Sequence, residues 1–283
     1  MKNSFSKKVL VARFWEINQN NHVIVKLIIL NRETKVFFIQ VKNIIIMNTL
    51  KNKVAYITGG SKGIGYGIAQ MLLDQGMRIA ITSRNIKAAN VAAASLTKDD
   101  SKILALESEV SSLASEMKAV KMVIEKFGQL DVLVANAGVG HFSSIVDMKE
   151  EDWKATIDTN LTGVFNSVKA SIGALKQSKG YIITIASLAG NNFFENGSAY
   201  NASKFGLVGF TQAIMLDLRK YNIKVTTIMP GSVATHFNNH IPNSEDGWKI
   251  QPEDIGRIVV DLLNMHPRTL PSKIEVRPSR PGK

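Results

Sequence analysis

The stretch VAYITGGSKGIG, Val54 to Gly65, sets a short apolar run directly ahead of a loop with glycines at 59, 63 and 65. Residues without a Cβ let the chain turn tightly and bring its backbone close to an anion. They can also open a helix whose first N–H groups face that anion. An ordinary glycine-rich turn has the same composition. Position separates the two readings: a dinucleotide site needs the loop after a first strand and before a helix, and this loop has both. Lys62 is not the lysine of a triphosphate-binding loop, because Gly65 is followed by Tyr66 and not by Lys-Ser or Lys-Thr.

Outward from the loop the pattern repeats. Apolar runs stand at 54–58, 78–83, 103–106, 131–136, 181–187, 224–230 and 273–276. Longer amphipathic segments lie between them, such as SSLASEMKAVKMVIEKFG at 111–128, with apolar residues at helical spacing and a closing glycine. The runs are continuous rather than alternating, so both faces of their sheet are covered. Strand and helix in regular succession predict an α/β fold: one doubly wound parallel sheet of about seven strands with helices on both faces, a single domain over 47–283.

The chain has 283 residues, 45% apolar and 20% charged, enough for the core of such a domain. Cysteine is absent, which excludes disulfides, thiolate nucleophiles and cysteine-ligated metal, and fits a cytoplasmic location. The five histidines show no metal-binding spacing. No run approaches about 18 uncharged apolar residues, so neither a metal site nor a membrane span is expected.

The net charge of +12 would suit a nucleic-acid partner if it were spread over the fold. It is not. Residues 1–46 hold eight Lys and Arg against two Asp and Glu, half of the excess, and contain no glycine or proline. This segment is rich in Asn, Ile and Lys, residues with AT-rich codons. Its apolar patches, VIVKLIIL and KVFFIQV, are too broken by charge for a signal peptide. Residues 1–46 are therefore expected to be an N-terminal extension outside the fold, with Met47 as the natural start. A small added hairpin is the alternative.

The second apolar run ends IAITSRN, placing Ser83 and Arg84 where NAD-binding folds usually carry an acid for the ribose 2′-hydroxyl. No carboxylate stands there, and Lys62 adds a further positive charge. Arg84 suits a 2′-phosphate, unless it is only a solvated surface residue. Farther on, SAYNASK sets Tyr200 four residues before Lys204, one helical turn apart on one face. No other tyrosine of the chain has a lysine at that spacing. Such a pair is either a solvated polar face or a phenol whose pKa is lowered for proton transfer.

From about residue 50 onward the chain resembles the short-chain dehydrogenase/reductase family, in its TGxxxGxG and YxxxK form, and within it the 3-oxoacyl-carrier-protein reductases and related carbonyl reductases. The resemblance implies a cofactor loop of Thr58, Gly59, Ser61, Lys62, Gly63, Ile64 and Gly65, followed by Asn136, Ala137 and Gly138 beside the adenine ribose. It also implies a nicotinamide-side loop of Pro230, Gly231, Val233 and Thr235. Asn160, Ser187, Tyr200 and Lys204 match the four catalytic positions. By that likeness Tyr200 exchanges a proton with the substrate oxygen, Ser187 orients that oxygen, and Lys204 lowers the phenol pKa and binds the ribose. Asn160 would hold a proton-relay water.

Departures are few. Glu109 stands where an aspartate is commoner near the adenine, followed by a matching Val110. The C-terminus lacks the glycine-rich tail of many tetramers, so a homodimer is expected ahead of a homotetramer. The implied activity is NADP-dependent hydride transfer between nicotinamide and a small-molecule ketone or secondary alcohol, with NADPH preferred over NADH. Phe193, Phe194, His236, Phe237 and Trp248 suggest an apolar pocket for a small or extended carbonyl. A non-catalytic dinucleotide sensor is the alternative, and a nucleic-acid partner is not expected.

Overall fold

The computed structural model describes residues 50–280 and, ahead of them, four strands: β1 (Leu10–Ile17), β2 (His22–Leu30), β3 (Phe37–Gln40) and β4 (Ile44–Ile45). The chain divides into two compact units, Met1–Thr49 and Leu50–Lys283. In the first, β2 pairs antiparallel with β1, β3 and β4, with Leu10 opposite Leu30 and Ile17 opposite Val23. The expected start at Met47 lies outside the described residues.

The second unit holds the seven strands read from the sequence. They are β5 (Val54–Ile57), β6 (Arg78–Ser83), β7 (Ile103–Glu107), β8 (Val132–Ala135), β9 (Tyr181–Ile185), β10 (Lys224–Pro230) and β11 (Lys273–Val276). All pair in parallel, in the order β11-β10-β9-β8-β5-β6-β7. The chain winds outward from β5 through β6 to β7, then returns to the other side of β5 with β8. The topological switch point therefore lies between β5 and β8, where a sheet of this kind opens a crevice at its carboxyl ends.

Period-two alternation sends successive strand residues to opposite faces, and here both faces are dry. From β5, Val54 and Tyr56 join one core cluster and Ala55 and Ile57 the other, all four fully buried. The cluster around Ala55 and Ile57 is completed by α1 (Gly63–Asp74), α2 (Ile86–Leu96) and α7 (Pro252–Asn264), through residues such as Ile68, Leu96 and Val259. The other face is covered by α3 (Leu113–Phe127), α5 (Gly163–Ser178) and α6 (Ser198–Leu218), through Val123, Val168 and Leu207. The segment read as a helix with a closing glycine is α3: Ser112 caps its start, and Gly128 ends it in the left-handed region at φ 79°. The short α4 (Glu150–Ile157) runs through a five-residue π turn, Asp158–Thr162, into α5.

The helix that opens at the glycine loop is held by backbone-to-backbone packing. A Cβ added at Gly67 of α1 would lie 2.5 Å from the carbonyl carbon of Pro252, which is backbone and cannot swing away, and one at Gly256 of α7 would lie 2.6 Å from Met71 Cγ and 2.8 Å from the Gly67 carbonyl oxygen. Gly67→Ala is accordingly expected to destabilise the protein by about 1–3 kcal/mol, the usual cost of overpacking. Urea unfolding checks it: the midpoint should fall at unchanged slope, and an unchanged midpoint would contradict this packing.

Candidate active site

The loops after β5 and β8 are clasped together at the switch point. The Thr58 hydroxyl oxygen accepts the backbone N–H groups of Asn136 (3.0 Å) and Ala137 (3.1 Å). In return, Asn136 Nδ2 donates to the carbonyls of Thr58 (2.9 Å) and Gly59 (3.1 Å). Gly59 and Gly63 sit at φ 64° and 57°, a region that penalises any residue with a Cβ. At Gly65 the constraint is space, since a Cβ would stand 2.6 Å from Asn136 Nδ2. The adjoining loop closes the cradle: a Cβ on Gly63 would meet Thr235 at 3.3 Å. Gly231 N–H donates to Val276, and Val233 bridges to Ile250.

This cradle fits a dinucleotide phosphate. Helix α1 begins at Gly63 behind Lys62, with no side-chain cap on its N-terminus and no acid in its first turn, leaving its leading N–H groups for an anion. On the adjoining strand, the Gly60 N–H donates to the Thr82 carbonyl at 2.9 Å, anchoring the loop to β6. Arg84 is exposed just past the end of β6, and Lys62 is exposed in the loop. Ser61 and Ile64 are half-buried. Ser83 accepts from the Asn85 N–H. Glu109 is half-buried and its carboxylate accepts from the Ser111 N–H, while Val110 is buried against Gly163 and accepts from Asn166.

Tyr200 and Lys204 lie on the first turns of α6, with Lys204 Nζ 5.6 Å from the centre of the tyrosine ring. Ser187, at the end of β9, stands beside the phenol. Its own hydroxyl oxygen accepts the Ala189 N–H at 3.1 Å. Asn160 is fully buried in the π turn, a helix irregularity common at functional sites. Ser203 links it to the tyrosine: Asn160 Nδ2 donates to Ser203 Oγ at 3.0 Å, and Ser203 Oγ donates to the Tyr200 carbonyl at 2.8 Å. Gly138 completes the cluster, since a Cβ there would lie 3.2 Å from Asn160 Oδ1 and 3.8 Å from Lys204 Nζ.

The amide of Asn160 is engaged by protein: Oδ1 accepts the Val139 N–H (2.8 Å), and Nδ2 donates to Val139 O (2.9 Å) and to Ser203 Oγ. The side chain braces the loop after β8. The Tyr200 phenol, expected to be lowered, is instead raised above its ordinary value by burial, and only the hydrogen bond to Ser187 pulls it down. Finally, Phe193 does not reach the tyrosine. It is 82% exposed and stacks on Phe205, with ring centres 5.5 Å apart and planes 7° from parallel. Phe142, in the stretch VGHFSS at 139–144, does reach it, at 5.3 Å between ring centres.

The family model for short chain dehydrogenases matches residues 53–246, from the glycine loop through the tyrosine cluster. The chain is a short-chain dehydrogenase/reductase. An uncharacterized oxidoreductase of Staphylococcus aureus is 32% identical over 233 residues, which are 82% of this chain and all of that protein. A 3-oxoacyl-[acyl-carrier-protein] reductase of Synechocystis is 35% identical over 197 residues, 69% of this chain and 80% of its own. Among solved structures, an alcohol dehydrogenase of Thermococcus sibiricus complexed with 5-hydroxy-NADP superposes with a TM-score of 0.76 at 28% identity, covering 82% of this chain and 99% of that one. A 3-ketoacyl-(acyl-carrier-protein) reductase of Brucella melitensis complexed with NADH gives 0.75 at 26%, with the same coverage. As a member of this family the chain is an oxidoreductase of the alcohol/carbonyl pair. Among the described residues no helix is long and apolar enough to cross a membrane.

Lys204 is 5% exposed, and its Nζ donates to the Ile185 carbonyl at 3.1 Å. Burial lowers its pKa from 10.5 to about 8. Between those values the unfolded chain binds the extra proton, so this group makes the native state gain stability as pH rises through the window. In Lys204→Met that gain should vanish. The variant's stability relative to the parent should be highest below pH 8 and fall by up to about 3 kcal/mol toward pH 10.5. Urea unfolding across this range measures it, and a pH-independent difference would contradict the buried ammonium.

Proposed function

We propose that this short-chain dehydrogenase/reductase is an NADP(H)-dependent carbonyl reductase with Tyr200 as its acid and base. The observation that carries the reading is the placement of Tyr200, Ser187 and Lys204 together at the carboxyl ends of β8 and β9, beside the glycine cradle. When bound, the nicotinamide supplies the hydride to a carbonyl carbon, or accepts it from an alcohol. Tyr200 holds the proton that goes to the carbonyl oxygen: a phenol is protonated at neutral pH even at its ordinary pKa, and burial acts in the same direction. For the reverse direction the phenol must lose that proton, and the Lys204 ammonium one turn away favours the phenolate. Ser187 orients the substrate oxygen. Lys204 has hydrogens left beyond the one given to Ile185, enough to donate to the nicotinamide ribose. Asn160 positions the loop that carries Gly138.

The glycine cradle holds the diphosphate through Thr58, Gly59, Ser61, Gly63, Ile64 and Gly65, and Asn136, Ala137 and Gly138 flank the adenosine side with Glu109 and Val110. Pro230, Gly231, Val233 and Thr235 flank the nicotinamide. Arg84 and Lys62, both exposed at the end of β6 and in the loop, suit the 2′-phosphate of NADP, and Ser83 lies beside them. The substrate is a small ketone or a 3-oxoacyl compound. A cytoplasmic homodimer through α5 and α6 accompanies this reading, supported by the exposed Phe165, Phe205 and Leu216 on those helices.

Two substitutions test it. Tyr200→Phe should leave cofactor affinity nearly intact while kcat falls by orders of magnitude, because only the proton donor is lost. A variant that keeps most of its turnover would overturn the assignment. Separately, hydrogen bonds between charged groups predict an NADPH preference of about ten- to a hundredfold in kcat/KM. Arg84→Asp should reverse it. Equal use of both cofactors by the parent protein would remove Arg84 from the reading and leave Tyr200 untouched.

A further inference from the structure

Three phenylalanines converge on Tyr200 from the loops that follow three successive strands. Phe142 comes from the loop after β8 and meets the tyrosine ring edge-on, with centres 5.3 Å apart and planes at 65°. Phe237, in the loop after β10, lies 5.7 Å from it, and Phe194, in the loop after β9, lies 6.4 Å from it. Phe142 also touches both of the others, at 5.7 Å and 6.3 Å. The rings are not sealed in a core: Phe142 and Phe237 are each 38% exposed and Phe194 is 47% exposed, so each keeps an open side.

Backbone contacts hold these rings in place. The Ser143 N–H donates to the Asn196 carbonyl at 2.9 Å, joining the loops of Phe142 and Phe194. Asn201, the residue after the tyrosine, donates to the carbonyls of Ala189 and Asn192 at 2.8 Å each, tying the same loop to α6. Gly140 makes the room. A Cβ there would stand 2.5 Å from the Phe237 ring and 2.9 Å from the Phe142 ring, so any other residue would push the two apart.

We infer that Phe142, Phe194 and Phe237 form an aromatic cage that selects carbonyl compounds bearing an aryl group one carbon away from the reacting carbon. This rests on the carbonyl-reductase reading of Tyr200 and names the substrate class for it. The exposed sides of these rings can take edge-to-face or offset contact from a further ring, which gains beyond the burial of apolar area. A saturated ring of the same size gains only the burial. The ring faces offer no hydrogen-bond partner to the amide groups along a carrier-bound thioester, and burying such groups unpaired is costly.

The test compares three ketones under one condition, with purified full-length protein and saturating NADPH, and again with NADH. Phenylacetone and cyclohexylacetone share reach, carbonyl and apolar character, and differ in aromaticity. The N-acetylcysteamine thioester of 3-oxobutanoate stands in for a carrier-bound acyl chain. Phenylacetone is expected to exceed each of the others by about tenfold or more in kcat/KM, the scale of one or two aromatic pairs. Phe142→Leu and Phe237→Leu should each lower the phenylacetone-to-cyclohexylacetone ratio about three- to tenfold. That ratio is its own control for the amount of folded enzyme. A ratio near one in the parent protein, or a preference for the thioester, would overturn the cage while leaving the reductase reading standing. Failure to reduce any of the three with either nucleotide would instead strike the reductase reading, and the cage with it.

Discussion

The exchange of hydrogen bonds between Thr58 and Asn136 is the constraint on which the site depends. Four bonds join the loops after β5 and β8, two accepted by a single hydroxyl and two donated by a single amide. These are the parallel strands between which the winding of the chain reverses, and their loops would otherwise diverge. Holding them together sets the distance from the glycine loop to Gly138. Gly138 in turn lies against Asn160 and Lys204. One threonine and one asparagine thus connect the cradle to the proton-transfer cluster, and the rest of the sheet serves to place that pair.

Burial governs the electrostatics of the cluster. Lys204 and Tyr200 both sit in surroundings that disfavour their charged forms, so the lysine is lowered and the phenol raised. Burial therefore works against ionisation of the tyrosine, and the hydrogen bond to Ser187 works for it. A similar economy appears in the core, where Glu116 of α3 is fully buried and accepts hydrogen bonds from Tyr56 (2.9 Å) and Ser108 (2.6 Å). A carboxyl in that position links β5, the end of β7 and α3 through donors that its neighbours supply.

Glycine acts in two distinct ways around the site. At 59 and 63 it permits a backbone conformation. At 67, 140 and 256 it removes a side chain so that helix can meet helix, or ring can meet backbone. The first use forms the loop, and the second sets what packs behind and beside it. The aromatic cluster over Tyr200 belongs to the second kind, because Phe142 and Phe237 meet only where residue 140 has no side chain.

The sequence by itself determined the sheet. The central strands were legible as continuous apolar runs, because a strand buried on both faces has no polar position to interrupt it; the edge strand β11, KIEV, alternates charged and apolar residues and is only half-buried. The glycine loop was legible for a similar reason, its residues being set by local backbone geometry, and Tyr200 and Lys204 were legible because helical spacing alone puts them on one face. What only the tertiary structure decided depends on neighbours distant in the chain. Asn160 reads as a polar residue in a helix, and its amide is taken up by Val139 and Ser203, the latter 43 residues away. The direction of the Tyr200 shift follows from how much protein surrounds the phenol, which the residue spacing does not contain. Phe193 and Phe194 are adjacent in sequence, yet one stacks on Phe205 and the other reaches Tyr200, because successive side chains leave a loop in different directions. Phe142, Phe194 and Phe237 become one surface only when parallel pairing brings the ends of β8, β9 and β10 side by side.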